Sequence, residues 1–396
     1  MNPLVVVAGA MLVQQTLITF ASNAVPVLVP PITVAFGINT GLLGVFTSIL
    51  FGVGIMAAVM SSGVILRFGA FRVSQTCLAA GGVGLLLCGL GWLWLFPVAA
   101  VLLGMGMGPS TPASSHILAR FSSPKVAPLV FSIKQTGVPF GGMFAGLFLP
   151  IAVAYSGWQG GLFAGAFLCL LFAAMMQPLH YRYDDDRQPG RRVSLADIGA
   201  ALRAVLSDRG MRELAFAGFA FSGLQVAYTS YFVAYLVEEG QRPYEEAGEM
   251  LAWASAAAIF GRVFWGALAG RFLPSRPLLA FLSFAMVAAT IAVAHAGPET
   301  GRWWVIGAGV FMGFTTVSWN GVHLAEVARL APKGSASVAT AGISFCCFVG
   351  LLVLPGAFGA IVALTGNYDL GFYVASVPAL ITGIFLLRPA KAESSD

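Results

Sequence analysis

The sequence predicts an all-α polytopic membrane protein of twelve transmembrane helices in two six-helix halves, and three observations predict it. Of the 396 residues, 58% are hydrophobic and only 9% charged, whereas soluble domains carry about 25% charged residues. Twelve apolar runs reach roughly the 20 residues that a spanning helix needs. The longest polar segment, 180–213, separates six of those runs from the other six.

The runs lie at 4–29, 41–65, 75–95, 97–118, 128–152 and 158–178, and then at 214–236, 249–270, 277–296, 303–326, 338–363 and 370–387. Each is taken as one span, and 75–118 divides into two because it is too long for a single crossing. The organisation that follows is a half over 1–179, a linker over 180–213, a half over 214–388 and a tail over 389–396. Inside the linker Ser194 is placed to cap a short helix, with Leu195, Ile198, Leu202 and Leu206 at helical spacing. Such a helix would lie along the membrane surface.

Orientation follows from the basic residues, which cytoplasmic loops hold in excess. With the N-terminus inside, the outer loops contain only Arg242 and Arg302 of the 21 lysines and arginines. The reverse threading inverts the bias, so both termini are expected on the cytoplasmic side. The net charge of +5 is then a topology signal and points to no nucleic acid. The first run has no basic leader, which makes it a first span and not a secretory signal. Cys77, Cys88, Cys169, Cys346 and Cys347 all fall inside spans without metal-ligand spacing and read as packing residues. Gly104, Gly106 and Gly108 precede no Lys-Ser/Thr and follow no strand, so no nucleotide loop is read there. With Pro109 and Pro112 they either loosen span 4 or pack it closely.

The halves echo one another. "SSGVILRFGAFR" (61–72) follows span 2 and "WGALAGRFLPSR" (265–276) follows span 8, which sets Arg67-Phe68 and Arg271-Phe272 204 residues apart. Repeated halves around a midplane site are the architecture of alternating-access carriers.

On these residues the chain resembles the major facilitator superfamily, whose loop between helices 2 and 3 reads G-x-L-A-D-R-x-G-R-R/K. Arg67, Gly69 and Arg72 fit that signature and Arg271 fits its repeat, while Leu66 stands at the position of the family's aspartate. In the family that aspartate pairs with a neighbouring helix end to lock one conformation. "GMGMGPSTPASSHILARF" (104–121), "FSIKQTGVPFGGMFAG" (131–146) and "SWNGVHLAEVARLAP" (318–332) look like a bacterial branch near the cyanate-permease-like carriers. The resemblance implies a monomeric transporter in a bacterial cytoplasmic (inner) membrane, a cavity lined by helices 1, 4, 7 and 10, and no cofactor.

Arg262 is the residue that composition makes conspicuous. It lies nine residues before Arg271, about 13 Å deeper at the helical rise of about 1.5 Å. At 100° per residue Ser255, Ala258, Gly266 and Ala269 share its side, and Trp253, Phe260 and Phe264 fall opposite. Charges at that depth face a cavity or a partner. Two readings are open: a brace onto helix-end carbonyls, or a planar fork for an anionic substrate. In relatives such as oxalate carriers, which this position resembles, a helix 8 arginine binds substrate. Of sixteen acidic residues, fifteen lie in loops, the tail or span ends and Glu326 lies near the inner end of span 10. That distribution favours an anion and disfavours an organic cation.

Lys134, with Gly137, Gly141 and Ala145 on its face, either touches substrate or extends to the inner surface. Gln15 of span 1, Gln225 and Tyr228 of span 7, and Trp319 and Asn320 of span 10 are the hydrogen-bonding candidates for substrate, and for each a helix-to-helix bond is the competing role. His323 and Glu326 are the candidates for a coupling proton, against packing for His323 and a pairing with Arg329 for Glu326. No catalytic set or metal cluster appears at any spacing, so an enzyme is not expected. The function read here is secondary active transport of a small anionic solute across the inner membrane by alternating access. Export of drug-like or toxic amphiphiles is the alternative.

Overall fold

A computed structural model describes residues 2–38, 41–191, 196–332 and 334–388. Ser194 and Leu195, expected at the start of the linker helix, lie outside the described residues, as do Arg192, Lys333 and the tail 389–396.

The expected all-α class is what the described residues form, and no strand occurs among them. The elements run α1 (Pro3–Val27), α2 (Val29–Phe36), α3 (Gly41–Phe68), α4 (Ala70–Gly89), α5 (Leu95–Phe121), α6 (Ala127–Gln135), α7 (Gly137–Met175) and α8 (Gln177–Tyr183). They continue with α9 (Ala196–Ser207), α10 (Arg209–Glu238), α11 (Tyr244–Leu268), α12 (Ser275–Ala294), α13 (Arg302–Thr316), α14 (Asn320–Leu330), α15 (Ala336–Thr365) and α16 (Tyr368–Leu387).

Among the described residues ten helical stretches are long and apolar enough to cross a membrane. One of them, Ala127–Tyr183, has 57 residues; at about 1.5 Å each it would be roughly 85 Å long, against about 30 Å of hydrocarbon. It is broken at Gly157, whose φ of 71° lies in the left-handed region. Arg209–Glu238 is a further helix of 30 residues whose first turns carry Arg209, Arg212 and Glu213. The chain therefore has about ten to thirteen long apolar helices, a range that includes twelve. The division within 75–118 falls at a turn around Gly91, between α4 and α5.

Two features depart from the apolar runs. The first run ends in a second short helix after Leu28, whose N–H closes back on Ala24 and Val25. The run 303–326 is interrupted between Thr316 and Asn320, at a polar stretch of threonine, serine and asparagine that holds neither proline nor glycine.

The residues group into two compact units. The first comprises Met1–Ser122, Lys134–Ala204 and Ala331–Ser344, and the second Ser123–Ile133, Val205–Leu330 and Phe345–Asp396. In the first, α5 packs along α3 and α4, and α7 along α1 and α4. In the second, α12 packs on α16 and α13, α11 on α13, and α10 on α16.

Glycine makes these approaches possible, since apolar attraction between helices is weak where the solvent is itself hydrocarbon. A Cβ at Gly104 or Gly108 would strike the backbone of α3 at Leu50 or Gly54. The glycines of span 4 thus serve packing, and α5 runs unbroken through Pro109 and Pro112. In the second unit a Cβ at Gly313 would strike the Ala254 carbonyl, and one at Gly350 the Phe219 carbonyl.

Two glycines of α15 give a controlled test of this packing. Gly350→Ala is expected to lower stability by about 1–3 kcal/mol through overpacking. Gly356→Ala, with open space around its Cα, should leave the melting temperature in detergent unchanged or slightly raised.

Candidate functional site

In the second unit the site is built around α11 and the broken pair α13 and α14. Arg262 is 1% exposed. Ala258, Gly266 and Ala269 are buried with it, while Trp253, Phe260 and Phe264 are exposed on the other side, as the helical projection requires. Ser255 departs from that projection: it is exposed and its hydroxyl donates back to the Leu251 carbonyl at 2.8 Å. The arginine is thus held inside the protein, and it is not without a partner there.

The backbone beside Arg262 comes close to two other helices because small residues allow it. Gly261 lies against Ser318 and Phe314, and Gly266 against Ser132 of α6. Ser132 also abuts Gly321, so a Cβ at either glycine would collide with it. Trp265 seals this region by donating its indole N–H to the Phe314 carbonyl at 2.7 Å.

Across the same unit Gln225 and Trp319 are joined: the indole N–H of Trp319 donates to Gln225 Oε1 at 3.1 Å. The Trp319 ring meets Phe221 and His323 edge-on, with centroids 5.2 Å and 5.1 Å away. His323 is fully buried. Its Nε2 lies 2.8 Å from the Leu214 carbonyl, and because a carbonyl can only accept, Nε2 carries the proton. Glu326 is 2% exposed and is held by Arg329 through two hydrogen bonds of 2.7 Å and 2.8 Å. Tyr228 is 1% exposed and its hydroxyl donates to the Gly309 carbonyl at 3.4 Å. Asn320 is half-buried at the start of α14. The structure thus joins Gln225, Trp319 and His323 in one cluster, with Asn320 next in sequence to Trp319, and sets Tyr228 and Glu326 against other partners.

In the first unit Lys134 is 1% exposed, so it does not extend to a surface. Its ammonium donates to Gln15 Oε1 at 2.6 Å and to Gln135 Oε1 at 3.2 Å. Gln15 is itself fixed by Thr19 at 3.2 Å and Ser110 at 3.4 Å, and Ser110 binds Gln14 at 3.0 Å. Gly137 and Gly141 lie against Gln15 and Thr16, which brings α6 and α7 close enough to α1 for this contact. Among the described residues no group of three His, Cys, Asp or Glu could hold a metal ion.

Residues 11–355 match the sequence model of the Major Facilitator Superfamily. The chain belongs to this superfamily. No curated protein matches it in sequence. Among solved structures it is similar to the Escherichia coli fucose:proton symporter, with a TM-score of 0.77 at 17% identity, covering 97% of this chain and 98% of that one. It is similar also to a human organic anion transporter (TM-score 0.74, 15% identity, 98% and 100% covered). A bacterial homologue of the iron transporter ferroportin in an outward-facing state is a third (TM-score 0.73, 16% identity, 96% and 98% covered). At these identities the likeness is one of fold.

The superfamily's signature loop takes a particular form in this chain. Gly69 has a φ of 94°, and a side chain there would collide with Asp184. Asp184 is 3% exposed and accepts the amides of Phe71 and Arg72, each at 2.9 Å, at the start of α4. His180 lies 2.7 Å from the same carboxylate. Arg72 reaches Gln75 at 3.2 Å and Gln177 at 3.1 Å, while Arg67 lies over the Phe68 ring at 5.0 Å. Arg271 lies over Phe272 at 5.3 Å, so the repeated pair keeps the same cation–π contact.

Sequence reasoning missed Asp184, which lies more than 110 residues from the amides it caps. The His180-to-Asp184 spacing of one helical turn was the available signal. Asp186 adds a neighbouring contact, 2.7 Å from His116 and 2.7 Å from Arg120. Burial works to raise the Asp186 carboxyl, but the hydrogen bond and charge of His116 with the charge of Arg120 outweigh it and hold it below its ordinary value.

The cap gives a comparison between adjacent aspartates. Asp184→Asn should lower stability by about 1–3 kcal/mol, since it weakens two charge-assisted bonds at a helix start. Asp185→Asn, whose side chain is 71% exposed, should stay within about 0.5 kcal/mol; melting curves of the two variants check the difference.

Proposed function

We propose that this chain is a secondary active transporter that moves a small anionic solute across a bacterial cytoplasmic membrane by alternating access. On this reading its halves are 1–179 and 214–388, both termini are cytoplasmic, and the monomer is the working unit. Arg262 provides the charge for the anion, Gln225, Trp319, Asn320 and Tyr228 its hydrogen-bonding surroundings, and Lys134 with Gln15 a second cationic group. Arg67, Gly69, Arg72 and Arg271 belong to the segments that change conformation.

One observation carries the reading: two positive charges, Arg262 and Lys134, are buried inside spans. Arg262 and Lys134 are each 1% exposed. The buried carboxylates Asp184, Glu213 and Glu326 instead lie at helix ends, where a helix start, Arg276 and Arg329 meet them. A guanidinium in a dry span is a permanent charge, and its planar donors match a carboxylate or similar oxyanion. The human neighbour of similar fold, described as an organic anion transporter, supports the same class of solute.

His323 is the stronger candidate for proton coupling, because both Glu326 oxygens are already engaged by Arg329. Replacement by glutamine keeps a donor for the Leu214 carbonyl. In proteoliposomes His323→Gln should lose proton-driven accumulation and keep anion exchange; unaltered proton-driven accumulation removes His323 from that role.

The anionic reading is tested by thermal shift in detergent with cyanate, oxalate, monocarboxylates and aromatic acids. A ligand at 100 times its Kd should stabilise the native state by about 2.7 kcal/mol. At least one anion is expected to raise the melting temperature of the wild type and not of Arg262→Gln. A shift produced only by neutral or cationic amphiphiles would instead establish the exporter.

A further inference from the structure

Between α13 and α14 the chain leaves the helix without a proline or a glycine. Hydroxyl groups do the work: Thr315 donates to the Phe311 carbonyl at 2.7 Å, and Ser318 reaches the Gly313 and Ala258 carbonyls at 3.0 Å each. Side-chain bonds of this kind compete with the helical ladder and bend it. The Ser318 amide closes a tighter turn on Thr315 at 3.3 Å. The helix then restarts, and its first closed bond runs from the His323 amide to the Trp319 carbonyl at 3.1 Å. The amides of Asn320, Gly321 and Val322 consequently have no acceptor inside α14.

A helix start within a span is a partial positive charge directed along the axis, worth about half an elementary charge. By itself it marks nothing, but Ser132 stands against it. Ser132 is fully buried, its hydroxyl has no hydrogen-bond partner, and it lies where a Cβ of Gly321 would be. Asn320 is half-buried at the same helix start; its Oδ1 is an acceptor and gives an anion nothing, so only the Nδ2 of its carboxamide can donate to one. A buried hydroxyl left unpaired is costly unless a ligand completes it.

We infer that the start of α14, with the Asn320, Gly321 and Val322 amides, the Ser132 hydroxyl and the Asn320 carboxamide, is a subsite for a planar oxyanion such as a carboxylate. The groups are donors in excess, which suits an acceptor-only ligand and rejects a cation. Broken helices of membrane carriers direct their half-helix starts at anionic substrate groups for this reason. The inference rests on the anionic reading of the function and locates where the charged group of the solute is received.

The test is a titration of tryptophan fluorescence and melting temperature with sodium formate, acetate, benzoate, oxalate and nitrate, on wild type, Arg262→Gln, Ser132→Ala and Asn320→Asp. For any anion that binds the wild type, Ser132→Ala should bind about tenfold more weakly, the loss of one bond to a charged acceptor. Asn320→Asp should lose the anion-dependent shift while its ligand-free melting temperature holds or rises, because a fixed carboxylate at the helix start takes the ligand's place. Wild-type affinity in both Ser132→Ala and Asn320→Asp, with the response lost in Arg262→Gln, overturns the subsite and leaves the anionic reading standing. No response of the wild type to any anion overturns both.

Discussion

Hydrocarbon offers a polypeptide no hydrogen-bond partners, and every other property of this chain is arranged around that denial. Each buried amide and carbonyl has to be satisfied from within, which restricts spanning segments to helices. Departures from the helix are therefore few and each carries its own substitute. At Leu28 the amide turns back on the preceding turn. At Gly157 the left-handed backbone reverses the chain between two crossings. At Val317 to Trp319 neither device is used: the Ser318 hydroxyl takes up the freed Gly313 carbonyl, and the Thr315 hydroxyl adds a second donor at Phe311.

The same scarcity explains where the small residues lie. With hydrocarbon on both sides of the comparison, helices gain by close contact between backbones and by polar bonds across the seam. Gly104 and Gly108 let α5 settle on α3, and Gly313 does so for α13 on α11. These contacts are also what carry polar side chains to depth. Lys134 reaches Gln15 because Gly137 and Gly141 bring its chain against α1, and Ser132 reaches the start of α14 because Gly266 and Gly321 leave room for it.

Much of this was legible because hydropathy is local and the helical period is fixed. The apolar runs marked the helices, and a projection of 100° per residue set Arg262, Ala258, Gly266 and Ala269 apart from Trp253, Phe260 and Phe264. What was hidden depends on partners far away in sequence. The contact between Lys134 and Gln15 joins residues 119 apart, and that between Gln225 and Trp319 joins residues 94 apart. Lys134 could be written as extending to a surface or turning inward, since only its neighbours decide. The interruption before Asn320 escaped notice because the usual markers, proline and glycine, are absent; the run of threonine and serine at 315–318 was its trace.

Two places in the chain, matched by a spacing of 204 residues, are fastened by opposite chemistry. Arg72 and Arg276 stand 204 residues apart, as do Asp184 and Arg388. At the first place the carboxylate of Asp184 receives the backbone amides of Phe71 and Arg72. At the second, the side chain of Arg276 binds the backbone carbonyl of Arg388, and Glu213 supplies the carboxylate from another helix. A side-chain carboxylate thus closes on backbone donors at one place and a side-chain guanidinium on backbone acceptors at the other, so reversing the charge would undo each by a different route: it would leave helix-start amides without an acceptor in the first and a chain carbonyl without a donor in the second.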